Sequence, residues 1–114
     1  MHQTSLFGTD ITTGAIIIGC YRYTLWRIWD EHKPRVLFVL LNPSTANAIQ
    51  DDATLRRCIH FARSWSYGSL EIVNLFALRA TNPIHLRQAA DPIGPCNDLY
   101  IREAAARATL LICG

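Results

Sequence analysis

Three short stretches of this chain hold the side chains best suited to chemistry. The first is Asn42-Pro43-Ser44-Thr45, followed by Asp51 and Asp52. A carboxamide donates and accepts, so Asn42 can hold a water or a substrate amide. The same Asn-Pro pair also reads as turn chemistry. Two adjacent carboxylates, Asp51 and Asp52, can bind a hard cation or act as a base. Their commoner use just before a helix is as caps, and that reading is preferred. Ser44 has no G-x-S-x-G context and no histidine nearby, which argues against a nucleophilic serine. Thr45 belongs to the same loop.

The second stretch holds Asn74, Phe76, Arg79 and Thr81. Asn is a poor strand former, yet Asn74 interrupts an apolar run. A buried amide needs partners, and those could be a base edge or the backbone of a neighbouring loop. Arg79 suits an anion such as phosphate, or is an ordinary exposed loop arginine. The third group is Arg56, His60 and Arg63, spaced i, i+4, i+7. It could follow a phosphate backbone, but a solvated helix face is the commoner meaning. The four histidines show no ligand spacing, and neither G-x-G-x-x-G nor a Walker A motif is present. No metal and no cofactor is expected.

The elements that must position these groups follow from the hydropathy pattern. Val36 to Leu41 is apolar at every position, which suits a strand buried on both faces, and Pro43 ends it. The Asn42 loop then lies at the carboxyl end of a central strand, where open α/β sheets bind ligands. Leu55, Cys58, Ile59, Ala62 and Trp65 recur at helical spacing until Tyr67-Gly68. Leu70 to Leu75 is the next strand, one helix away, the length of a parallel crossover. Upstream, Ala15–Ile18 and Tyr21 onward read as an antiparallel pair joined at Gly19-Cys20, with a short helix near Trp26 to Trp29 as the alternative for its end. Asp30 to Pro34 is a turn. Downstream, Asn82-Pro83 opens a short helix to about Ala89. Asp91 to Pro95 is punctuation, a helix from Asn97 or Asp98 to Arg107 buries Ile101, Ala104, Ala105 and Ala108, and Thr109–Cys113 is a further apolar strand.

The pattern predicts an α/β fold: a three-layer α/β/α sandwich with a mostly parallel central sheet and an antiparallel amino-terminal strand pair. Residues 1–12 are expected to be loose, and 13–114 to form a single domain. A strand running into Gly114 leaves no loop behind it, so the domain is expected to be cut short at its carboxyl end.

Half of the 114 residues are hydrophobic, enough for a core. The net charge of +2 neither requires nor excludes nucleic acid. Ten arginines against one lysine, Lys33, favour phosphate or carboxylate recognition, although coding bias gives the same ratio. Cys20, Cys58, Cys96 and Cys113 form no C-x-x-C pair and are expected to be buried reduced thiols. No signal peptide precedes the domain and no run is long enough to span a membrane, so a cytoplasmic location is expected.

The strings YRYTLWRIW, LNPSTANAIQDDATLRRC, VNLFALRATNP and GPCND resemble a bacterial and phage family known as domain of unknown function 1643, from about Tyr21 to Gly114. The order of loops is also similar to that of the uracil-DNA glycosylase superfamily. That resemblance implies a three-layer fold, nucleic acid or a nucleotide as partner, and hydrolysis at a nucleobase or N-glycosidic bond. Asn42 would then hold water, Asn74 would bond a base, Phe76 would stack on it and Arg79 would meet phosphate. Two departures are plain. Ser44 replaces a glycine of that superfamily, and its third, histidine-bearing loop has no counterpart in this chain. The alternatives are a non-catalytic nucleotide-binding module and a metal-dependent enzyme using Asp51 and Asp52.

Overall fold

The computed structural model describes residues 2–4, 10–79 and 88–114. Six strands form one sheet: β1 (His2–Thr4), β2 (Asp10–Ile18), β3 (Tyr21–Ile28), β4 (Arg35–Leu40), β5 (Ser69–Asn74) and β6 (Leu110–Cys113). Their spatial order is β1-β2-β3-β5-β4-β6. Among the described residues the helices are α1 (Ala53–Ser64) between β4 and β5, and α2 (Asn97–Arg107) before β6.

The sheet is mixed rather than mostly parallel, which corrects the expectation. Only β5, β4 and β6 run parallel, while β1-β2, β2-β3 and β3-β5 are antiparallel. Chain length explains this. Gly19, at φ +60°, and Cys20 form a two-residue turn that can only return the chain antiparallel. The link from β3 to β4 is also far shorter than the dozen or so residues that a parallel crossover needs. The segment expected to be loose, 1–12, supplies β1 and the start of β2. β3 continues as strand to Ile28, without a helical end.

Because β5 and β6 flank β4 on opposite sides, right-handed crossovers leave their helices on opposite faces. On one face Leu55, Cys58 and Ala62 of α1 pack on Leu25, Val36, Phe38, Leu70 and Ile72. On the other, Ala104 of α2 packs on Leu37, Val39 and Val73, with Ile101 and Ala108 partly buried beside them. Val36, Leu37, Phe38 and Val39 are all buried, as an unbroken apolar run requires of a central strand. Ala105 turns outward, against expectation. β6 is also largely exposed, because it is an edge strand with β4 as its one neighbour.

A β-bulge in β3 sets which residues serve which face. Ile16 pairs with Thr24 but Ile17 pairs with Arg22, so Tyr23 is a surplus residue. Beyond it the facing shifts by one position. Arg22, Leu25 and Arg27 therefore share the α1 face, although 22 and 25 would alternate in a regular strand. Tyr23 goes to the α2 face, stacked on Tyr100 with centroids 4.9 Å apart.

The α2 face also buries a charge. Glu71 is 0% exposed. Its carboxylate accepts from Arg35 Nη1 at 3.0 Å, from Arg107 Nε at 3.2 Å and Nη2 at 2.9 Å, and from the Thr24 hydroxyl. These bonds tie β3, β4, β5 and α2 together. The turn Asp30 to Pro34 closes against Gly68, where a Cβ would come within 2.0 Å of the Asp30 carbonyl oxygen, so only glycine fits. Among the described residues no helix is long and apolar enough to cross a membrane. The helix expected from Asn82 falls mostly in 80–87, outside the described residues.

Candidate functional site

Beyond the carboxyl ends of β4 and β5 the two chains stay paired for two more residues, through Leu75 N–H to Leu40 O and Phe76 N–H to Leu41 O, both 2.9 Å. The loops then part and leave an open cleft of about 810 Å³. It is lined by Cys20, Asn42, Pro43, Ser44, Thr45, Asp52, Ala53, Thr54 and Arg79. This volume lies within the usual range of ligand sites.

Of the groups singled out from the sequence, Asn42, Ser44, Thr45, Asp52 and Arg79 meet in this cleft. Among the described residues Asn42 makes one long contact, Nδ2 to Pro43 O at 3.5 Å, which leaves its amide open to a ligand there. Arg79 is exposed, and its backbone N–H donates to Cys20 O at 2.8 Å, which fixes the base of its side chain at the rim. Ala53 and Thr54 open α1 here, and backbone N–H groups of a first helical turn have no partner within the helix.

Asp52 is the N-cap of α1. Its Oδ1 accepts from Leu55 N–H at 2.9 Å, and its Oδ2 from Ala46 N–H at 2.9 Å and Thr45 Oγ1 at 3.4 Å. Partial burial favours its neutral form most strongly. Hydrogen bonds from Ser44, Leu55 and Ala46, with the Arg22 charge, outweigh that and hold its carboxyl below the ordinary value. Asp51 lies elsewhere. Its Oδ1 accepts from Arg27 Nε at 3.0 Å and Nη2 at 2.9 Å. The two carboxylates thus serve different partners. Among the described residues no group of three His, Cys, Asp or Glu side chains is placed to hold a metal.

Asn74 sits beneath the cleft and is 1% exposed. Its Oδ1 accepts from Arg22 Nη2 at 3.3 Å, and its backbone oxygen from Asn97 Nδ2 at 2.8 Å. It is not among the residues that line the opening. It lies in register with Leu40 on the neighbouring parallel strand, at the same end of the sheet. Its Nδ2 and the Nε of Arg22 are buried donors with no acceptor among the described residues. Phe76 is half-buried and does not line the cleft. Thr81 lies outside the described residues.

The sequence did not reveal what supports the loop. Two arginines of β3, 1% and 2% exposed, hold it from below. Arg22 Nη1 donates to Ala46 O at 2.9 Å and, at longer range, to Ser44 O and Oγ. Arg27 Nη2 donates to Asn47 O at 2.7 Å and reaches Gln50 O at 3.4 Å. Forked donors suit a loop because they reach several carbonyls at once. Burial pushes the Arg22 guanidinium down to about 10; Asp52 opposes this, while the charges of Arg79 and Arg27 add to it. The arginine-rich composition was the one available signal.

The thiol expectation holds for Cys58 alone. Cys20, Cys96 and Cys113 are exposed, and all four are free. They lie on a hairpin turn, ahead of α2 and on the edge strand, which are all surface positions.

Residues 22–114 match the family model described as Protein of unknown function (DUF1643). No curated protein and no solved structure matches the chain. The family match covers both loop-supporting arginines, every cleft residue but Cys20, and helices α1 and α2, and the chain belongs to the DUF1643 family.

Proposed function

We propose that the cleft binds a nucleotide, free or within a nucleic acid, and that Asn42 directs water onto the bond between base and sugar. The observation that carries this reading is that the open amide of Asn42 and the guanidinium of Arg79 line one cleft. The free N–H groups at the start of α1 and the Arg79 side chain suit a phosphate. The Asn42 oxygen suits a water, which it aligns by accepting a hydrogen bond. A neutral amide takes no proton, so it fits a reaction in which the C–N bond breaks first. The base leaves with the bonding electrons, water adds to the electron-poor sugar carbon, and its proton passes to solvent or to the departing base. The activity is the one that the sequence resemblance to the uracil-DNA glycosylase superfamily implies.

Binding without turnover is the second reading. It is favoured by the state of Asp52, whose two oxygens are both occupied, so that it is poorly placed to accept a proton. One experiment separates the two. Base release is followed on uracil-containing and modified oligonucleotides, and nucleoside monophosphate binding is measured calorimetrically. Asn42→Ala is expected to abolish base release and keep binding, and Arg79→Ala to weaken both. Absence of base release from every substrate, with nucleotide binding intact, would leave the binding module. Absence of both would refute the proposal.

A further inference from the structure

The outward face of α1, which carries the Arg56, His60 and Arg63 stripe, takes no part in lining the cleft. Its inward residues, Leu55, Cys58 and Ala62, are spent on the sheet. What remains outside is Arg56, Arg57, His60, Phe61, Arg63 and, at the C-cap, Trp65, all exposed. The helix ATLRRCIHFARS contains no acidic residue, and none of its three arginines has an ion pair among the described residues. Phe61 and Trp65, 42% and 45% exposed, stack on each other with centroids 5.5 Å apart and planes at 17°. Arg63 is steadied over the Trp29 ring at 4.8 Å. The helix begins in the cleft, at Ala53 and Thr54.

We infer that this face is a track for single-stranded nucleic acid leading to the cleft, with phosphates on the arginines and a base stacked on the outer face of the Phe61–Trp65 pair. The inference takes the nucleotide class of its ligand from the cleft reading, and it makes the substrate a polymer rather than a free nucleotide. Charge complementarity supports the polyanion. Arginines not neutralised by neighbouring carboxylates are the electrostatic footprint of phosphate binding. The paired rings select a single strand, because flat aromatic faces match unpaired bases and a duplex hides its own. A membrane surface is a poorer fit, since an interfacial helix must offer its apolar side to lipid and α1 has turned that side into the sheet. An acidic peptide would use the arginines and leave the rings idle.

The test is fluorescence anisotropy with a short labelled oligothymidylate, run as a salt titration on the whole chain. Exposed positions keep the fold, which circular dichroism verifies for each variant. The double variant Phe61→Ala/Trp65→Ala is expected to weaken binding at least about tenfold, as expected for loss of base stacking. Arg56→Gln and Arg63→Gln are each expected to lower the slope of log affinity against log salt by about 0.7. Nucleoside monophosphate binding in the cleft is expected to be unchanged in all of them. Oligomer affinity unchanged by these variants would overturn the inference and leave the cleft reading intact. Equal affinity for duplex, or stronger binding to phosphatidylserine vesicles, would also overturn it. If oligomer binding depends on α1 while wild-type chain binds no monophosphate, the track stands and the cleft reading falls.

Discussion

Replacing Asp52 tests whether its carboxylate holds the cleft loop to α1 or serves the ligand. In Asp52→Ala the Leu55 N–H loses its cap, which costs about 1 kcal/mol. The N–H of Ala46, a residue only 1% exposed, loses its partner, at about 1–3 kcal/mol for an unpaired buried donor. The Thr45 contact at 3.4 Å is too long to add much. The expected total is about 2–4 kcal/mol. With a urea slope of about 2 kcal/mol/M, the unfolding midpoint falls by roughly 1–2 M, readable from the fluorescence of the three tryptophans. Asp52→Asn keeps one acceptor oxygen for two N–H groups and should lose about half as much. The pH dependence gives a second reading. The carboxyl is held below its ordinary value in the folded chain, so its share of stability is complete above about pH 4 and disappears as pH falls through the folded value. Asp52→Asn should therefore unfold with a shallower acid limb than wild type. An alanine variant within about 0.5 kcal/mol of wild type, or an unchanged acid limb in the asparagine variant, would refute the structural role.

Two further outcomes follow from the buried charges. Arg22→Lys should lose about 1–2 kcal/mol, because one ammonium cannot serve both Ala46 O and Asn74 Oδ1, and hydrogen exchange at the amides of residues 44–47 should speed up; unchanged exchange would show that the arginine does not hold the loop. Glu71→Ala leaves the half-buried Arg35 without its carboxylate and should cost about 3–5 kcal/mol, while Arg107→Ala, removing the exposed partner, should cost clearly less; equal losses on urea unfolding would contradict the asymmetry in burial.

Much of the site's frame was legible in the sequence. The apolar run to Leu40, the break at Pro43 and the cap at Asp52 place the loop at a strand end and fix the start of α1, because each is a local signal. Asn42 and Arg79 share a cleft because each follows the carboxyl end of one of two adjacent parallel strands. The supporting layer was not legible. Arginine is usually at the surface, so composition gives no reason to bury Arg22 and Arg27. Alternation then assigns Arg22 to the wrong face, since a bulge leaves no mark in hydropathy. Glu71 was hidden for the same reason: its partners Arg35 and Arg107 are distant in sequence. The solid apolar runs of β4 and β5 suggest a mostly parallel sheet, but they carry no information on how the upstream strands pair, and those are antiparallel. The exposure of Cys20, Cys96 and Cys113 depends on which strand forms the edge and on where turns fall, and neither is stated by the cysteines themselves.

The surplus residue in β3 divides that strand into two halves of opposite phase. Arg22 in one half and Arg27 in the other both reach the cleft loop although they are five residues apart, an odd separation that a regular strand would send to opposite faces. Their ladder partners, Ile17 and Thr13, are four positions apart, so loss of a single codon at Tyr23 would leave both guanidiniums under the loop and remove only the ring stacked on Tyr100. What that point must keep is therefore parity, and relatives that retain both arginines should show an even separation between the two ladder partners, with or without the surplus residue.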